Sequence, residues 1–165
     1  MSQIRLLDFY EYAHSKLLND KWFAFWGEGV VQNMEVTEST PKGLTVTIQA
    51  GATEDVKGWW TREGVLVEET QSIILPYPGY PGGVPQPNNH PTYDRLDLIV
   101  ATYHWLPYAI GSGAPPTAYY QWVVGTPAAN PVRPAIPPYS IPLGLIRMRP
   151  HSPPIENGDI TERIS

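Results

Sequence analysis

The chain of 165 residues is expected to fold as a mainly β protein, an antiparallel β-sandwich of about seven to eight strands with an N-terminal helix and long proline-rich loops. Three observations predict this. Apolar residues recur with a period of two from Met34 onward, the spacing that puts alternate side chains on one face of a strand. Nineteen prolines and fourteen glycines punctuate those runs. Six tryptophans and ten tyrosines supply packable surface that a disordered chain of similar proline and glycine content lacks. The length fits one domain, which would bury roughly 70% of its unfolded surface.

Residues 1–33 are expected to form a helical arm and residues 34–165 the sandwich, the two making one compact unit. Within the arm, residues 6–26 read as helix. Asp8 and Glu11 resemble a capping box, and Leu6, Tyr10, Ala13 and Leu17 recur at helical spacing. Trp22-Phe23-Ala24-Phe25-Trp26 extends this pattern until Gly27 and Gly29 stop it. Strands follow. Leu44-Thr45-Val46-Thr47-Ile48 alternates between Gly43 and Gly51. Val56–Thr61 and Val65–Glu68 make a hairpin across Arg62-Glu63-Gly64, and Gln71–Leu75 is a further strand. Leu96–Trp105 is the longest and most apolar run and is predicted to be central, with Ala118–Val124 as its antiparallel and likewise central neighbour. Ile141–Met148 closes the sheet system, and Ile160–Ile164 adds a short edge strand.

Bulk properties exclude several function classes. A net charge of −5 and a pI near 5.3 argue against nucleic-acid binding, which needs a basic face to neutralise phosphates. No apolar run approaches the roughly 20 residues that span a bilayer, and the N-terminus has no apolar signal core. The absence of cysteine removes disulfides, thiolate metal sites and cysteine nucleophiles.

Catalytic motifs are also missing. His14, His90, His104 and His151 form no close-spaced ligand pair. Gly111-Ser112-Gly113 lacks the spacing of a nucleophile elbow. Gly79-Tyr80-Pro81-Gly82-Gly83 lacks the lysine of a phosphate loop, and its prolines remove backbone donors. Glu68 and Glu69 face opposite sides of a strand and cannot act together from there. Asp94, Arg95 and Asp97 allow two readings: an acidic metal or substrate site at a strand entrance, or a structural charge lock in which Arg95 pairs a carboxylate. The lock is the expectation. The sequence therefore predicts no enzyme, no metal and no cofactor.

What the sequence offers is contact surface. From Leu98 to Val132 there is no Asp, Glu, Lys or Arg, and the 76–92 loop holds six prolines, three glycines and no acid or base except His90. Structureless loops of this length are uncommon unless they serve a function, and a stiff uncharged loop loses little entropy on docking. The expected protein-contact residues are Tyr77, Tyr80, Val84, Tyr108, Ile110, Tyr119, Trp122, Ile136 and Tyr139. Trp59-Trp60 and Tyr119-Tyr120-Gln121-Trp122 place rings on both faces of their strands. One face must be core. The other suits a protein interface or, alternatively, a sugar-stacking platform.

An ordered set of segments carries a family resemblance. It comprises Phe25-Trp26-Gly27-Glu28-Gly29-Val30-Val31, the strand from Gly43 to Gly51, Gly58-Trp59-Trp60 and Tyr93-Asp94-Arg95-Leu96-Asp97-Leu98-Ile99-Val100. It continues with Gly125-Thr126-Pro127-Ala128-Ala129-Asn130-Pro131, Ile141-Pro142-Leu143-Gly144-Leu145-Ile146 and Ile160-Thr161-Glu162-Arg163. Together these resemble the N-terminal module of tailed-bacteriophage structural proteins, notably baseplate upper proteins and tail attachment proteins. The resemblance implies a β-sandwich that anchors to neighbouring virion proteins as a trimer or larger ring. It implies virion localisation after synthesis in the host cytoplasm, and no catalytic residues. The chain departs from the family by stopping at Ser165 and by proline-rich insertions at 76–92 and 106–117. Those departures bring in a head-decoration or collar protein as the alternative. A host-surface glycan remains the alternative partner, and neither nucleic acid nor membrane is expected as one.

Overall fold

The computed structural model describes residues 29–32, 34–49, 58–60, 66–68, 71–77, 88, 90–104, 117–151 and 154–163. The helix expected over 6–26 lies outside them. The last positions assigned to the helical arm, Gly29–Gln32, form a strand. The described residues are mainly β, with antiparallel pairing throughout and one short 3-10 turn at Asn157–Asp159.

Ten strands lie among them: β1 (Gly29–Gln32), β2 (Val36–Glu38), β3 (Thr45–Ile48), β4 (Gly58–Trp60), β5 (Leu66–Glu68), β6 (Ile73–Pro76), β7 (Arg95–His104), β8 (Thr117–Val123), β9 (Ser140–Met148) and β10 (Ile160–Arg163). They form three sheets, ordered β1-β4-β5, β2-β3-β6 and β10-β9-β7-β8. The β4–β5 pairing, Trp60 opposite Leu66, matches the expected hairpin. The count exceeds the expected seven to eight because β1 and β2 are only four and three residues long, too short to show a period.

β7 is central, as its length and apolarity predict. Its odd-numbered residues Ile99, Ala101 and Tyr103 enter the main core, while Leu98 and Val100 enter a smaller cluster on the opposite face with Leu145. A strand buried on both faces has no polar face left, hence the continuous run Leu98-Ile99-Val100-Ala101.

The second central strand is β9, not Ala118–Val124. Among the described residues β8 sits at the sheet edge, and β9 lies between β7 and β10. A bulge in β9 hides this from periodicity. Ile99 is opposite Gly144 and Val100 opposite Pro142, so Leu143 is the extra residue. One added residue reverses which parity faces the core. Ile141 and Leu143 point inward before the bulge, Ile146 and Met148 after it. Pro142 lies beyond the pairing with β10, which covers Gly144–Ile146, so its missing N–H falls outside that ladder.

The main core joins two sheets. Val36, Val46 and Ile48 from β2 and β3 share one cluster with Ile99, Trp122, Leu143, Ile146 and Ile160. β3 alternates as expected, with Val46 and Ile48 buried and the threonines between them half-buried. The third sheet touches β9 through β1. Near the C-terminal turn, Glu38 N donates to Asn157 Oδ1 at 3.1 Å, and Asn157 N donates back to Glu38 Oε2 at 3.1 Å. This reciprocal pair fastens the turn to β2.

Candidate functional site

Two regions carry the residues singled out from sequence: a buried polar lock at the start of β7 and an exposed stretch running from β8 to β9, whose single charge is Arg133.

The lock forms because Arg95 and Asp97 are two apart on one strand and so share a face, the same face that Ile99 presents to the core. Asp97 has no exposed surface and Arg95 almost none. Arg95 Nε donates to Asp97 Oδ1 and Nη2 to Oδ2, each at 2.7 Å, the planar two-point geometry in which guanidinium and carboxylate match best. Arg95 Nη2 also donates to the Tyr77 hydroxyl at 3.0 Å, and Gly125 N donates to Asp97 Oδ1 at 2.8 Å. Taking both charges out of water is costly, so the pair depends on these added hydrogen bonds. Tyr77 completes the enclosure. Its ring packs against Trp122 with centroids 5.1 Å apart, and Trp122 Nε1 donates to Pro76 O at 3.1 Å. The lock thus ties the end of β6 and the end of β8 to the start of β7.

Asp94 stands apart from that pair. It faces the other way and forms an ion pair with Arg147 on β9, whose Nε donates to Asp94 Oδ2 at 2.6 Å. Asp94 O accepts from Ala128 N at 3.1 Å. Through the bonds of Arg95 and Asp97 to each other, to Tyr77 and to Gly125, this geometry holds three chain segments together.

Sequence reasoning missed two members. Asn88 is fully buried, and its Nδ2 donates to Tyr93 O at 3.0 Å and Met148 O at 2.9 Å, clipping the end of the 76–92 loop to β9. Beside it His90 Nδ1 accepts from Thr92 N and Tyr93 N, at 3.1 and 2.8 Å, while its ring stacks on Tyr93. Gly125 is the other. A Cβ there would stand 2.1 Å from Leu96 O. A proline-rich loop with three amides, Gln86, Asn88 and Asn89, signals neither role. Both are fixed by partners distant in sequence.

The phenol of Tyr77 is raised above its ordinary value of 10.0, mainly by burial and further by the Asp97 carboxylate, against a smaller lowering by Arg95. The unfolded chain ionises this phenol near pH 10 while the folded one resists. The contribution is therefore fully present below about pH 10 and is lost as pH rises toward the raised folded value. Urea midpoints measured across that range should fall with a slope that Tyr77→Phe reduces. An unchanged slope in the variant would reject this assignment.

The expected contact residues separate into three groups. Tyr77 and Trp122 are each only 7% exposed and belong to the core, which removes them from the surface set. Both were drawn in by their aromatic character, yet each continues the inward alternation of its strand, Ile73-Leu75-Tyr77 and Ala118-Tyr120-Trp122. Tyr119, Ile136 and Tyr139 are exposed. Tyr80, Val84, Tyr108 and Ile110 lie outside the described residues. Ile74, Val124 and Val132, not singled out from sequence, are also exposed, Val132 at 76% and Tyr139 at 63%. On β8, Tyr120 turns toward the main core and Tyr119 outward. Beside Tyr119, Gln121 Nε2 donates to Thr102 Oγ1 at 2.9 Å, and Thr102 Oγ1 lies 2.8 Å from Ser140 Oγ, a polar row across three strands.

No three His, Asp or Glu residues among those described are grouped so as to hold a metal, and no described helix is long and apolar enough to cross a membrane. Comparison with protein-family models, curated proteins and solved structures finds no match.

Proposed function

We propose that this chain is a non-enzymatic virion structural protein of a tailed bacteriophage, a tail or baseplate assembly component that forms a trimer or larger ring and binds neighbouring virion proteins. In this reading the two sheets that share the main core are the two layers of a β-sandwich, and the phage-module resemblance supplies the setting. The observation that carries it is a set of exposed apolar side chains, Tyr119, Val124 and Val132, in the stretch from Leu98 to Val132 that has no charged residue. Exposed apolar side chains in a stretch without charge are what a covered contact surface would present. Interfaces are depleted in Lys and Glu and enriched in Tyr in this way.

β8 adds a second support. It is an edge strand among the described residues and contains no charged residue, the device that ordinarily keeps edges apart. Self-association through that edge is the expectation. Light scattering on the purified chain should give the mass of a trimer or larger closed ring. Tyr119→Asp should weaken each contact by about 2 kcal/mol, the scale of an interface anchor, and lower that mass at unchanged thermal midpoint. A monomer at all concentrations up to about 100 μM, some hundredfold above ordinary assembly affinities, would remove the reading.

The exposed ring of Tyr119 favours one second reading, a host-surface glycan stacked on the outer face of β8. A glycan array separates the two: sugar binding abolished by Tyr119→Ala supports the glycan, and a blank array removes it.

A further inference from the structure

The far end of the 76–92 loop closes through Asn88-Asn89-His90-Pro91-Thr92-Tyr93, and one ring nitrogen decides whether it can. Pro91 has no N–H, so the first backbone donors after His90 are those of Thr92 and Tyr93. Both point at the same acceptor. Thr92 N donates to His90 Nδ1 at 3.1 Å, and Tyr93 N does so at 2.8 Å. His90 N in turn donates to Asn88 Oδ1 at 3.1 Å, and Asn88 Nδ2 donates to Tyr93 O at 3.0 Å. The bonds form a closed cycle, from Asn88 to Tyr93, from Tyr93 to His90 and from His90 back to Asn88. A further bond from Asn88 Nδ2 to Met148 O, 2.9 Å long, moors this cycle to β9. The imidazole also stacks on the Tyr93 ring, with centroids 4.5 Å apart and planes inclined by 14°. Asn88 is fully buried, whereas His90 is only half-buried and stays open to protons from solvent.

We propose that His90 makes this closure sensitive to pH: the neutral imidazole holds the end of the loop on β9, and the imidazolium releases it. A neutral imidazole has one acceptor nitrogen and one N–H. Two donors converging on Nδ1 therefore require the ring hydrogen to sit on Nε2. Protonation places a second N–H at Nδ1, facing the N–H groups of Thr92 and Tyr93, and the cycle loses one side. Imidazole is the side chain that ordinarily changes charge in the mildly acidic range. Other groups do not take over this response. Between Pro76 and Thr92 the only further titratable groups are the phenols of Tyr77 and Tyr80. On the segments that the cycle joins, Asp94 pairs with Arg147, Arg95 with Asp97 and Arg149 with Asp159, while His151 follows β9 on the surface. Among the described residues no carboxylate pairs with His90, so an imidazolium there finds no counter-charge to keep it in place. Acid thus unfastens the proline-rich loop, whichever partner the chain meets.

The test follows the imidazole and amide nitrogens of the isotope-labelled full chain by NMR from about pH 8 to about pH 5, the span over which imidazole titrates. At the alkaline end the His90 ring should carry its hydrogen on Nε2. On acidification the Thr92 and Tyr93 amides should shift with the same midpoint as that ring. Their hydrogen exchange, corrected for its intrinsic pH dependence, should quicken about fivefold, the equivalent of one hydrogen bond. Two variants separate the ring from its surroundings. His90→Asn supplies an amide oxygen that accepts from the same turn N–H groups and does not titrate, so it should abolish the response. His90→Phe keeps a ring to stack on Tyr93 but has no acceptor, so exchange should be fast at both ends of the range. Three outcomes overturn the proposal: the ring carries its hydrogen on Nδ1 at the alkaline end; the Thr92 and Tyr93 amides do not follow its titration; or their response persists in His90→Asn, which would assign it to His151 or to the Asp94–Arg147 pair.

Discussion

Gly125→Ala is expected to destabilise the protein by about 3 kcal/mol, at the upper end for overpacking a well-filled site. The cause is space. The added Cβ would stand 2.1 Å from Leu96 O and 3.4 Å from Arg95 Cγ. The closest of these is backbone of the central strand, which cannot swing aside as a side chain can. Relief requires moving either β7 or the segment after β8, and that motion lengthens the bond from Gly125 N to Asp97. Urea denaturation is the measurement, with a lowered midpoint at unchanged slope as the expected result. A midpoint within error of the parent would mean the approach of these two segments is looser than described.

Asp97→Ala should cost about 4 kcal/mol, because it leaves the Arg95 guanidinium buried without a counter-charge. That is a large share of the 5–15 kcal/mol that ordinarily separates folded from unfolded states. The discriminating variant is the double replacement Arg95→Met with Asp97→Leu. If the loss comes from an orphaned charge, the double variant recovers most of it, falling short by about 1–2 kcal/mol because Gly125 N–H loses its acceptor. If the double variant is as unstable as the single one, the ion pair itself is what holds the end of β7. The same urea midpoints decide between these outcomes.

The parts of this molecule that were legible in its sequence are those where one local rule acts alone. β3 alternates because one face is buried, and β7 reads as a continuous apolar run because both are. The hairpin of β4 and β5 is marked by its turn. β9 was misplaced as a closing strand because the extra residue Leu143 breaks its period, a feature that depends on the register with β7. Among the site residues, Arg95 and Asp97 could be read as a pair from their spacing. Gly125, Asn88 and Tyr77 could not join them, since each meets its partner only after distant segments come together. The exposed surface followed the same division. Missing charge marked the right stretch of chain, but only burial separated Tyr119 from Trp122, three residues away.

The lock also bears on the order of events in folding. Its hydrogen bonds join residues 18, 28 and 46 apart in sequence. Loops of that size must close before Arg95 and Asp97 leave water, and closure is the slow, entropically opposed step in folds of this topology. Contacts made after the barrier slow escape from the native state without hastening arrival. The buried pair therefore acts as a latch on the unfolding rate. Gly125→Ala and Asp97→Ala should steepen the loss of native protein over time while leaving refolding nearly as fast.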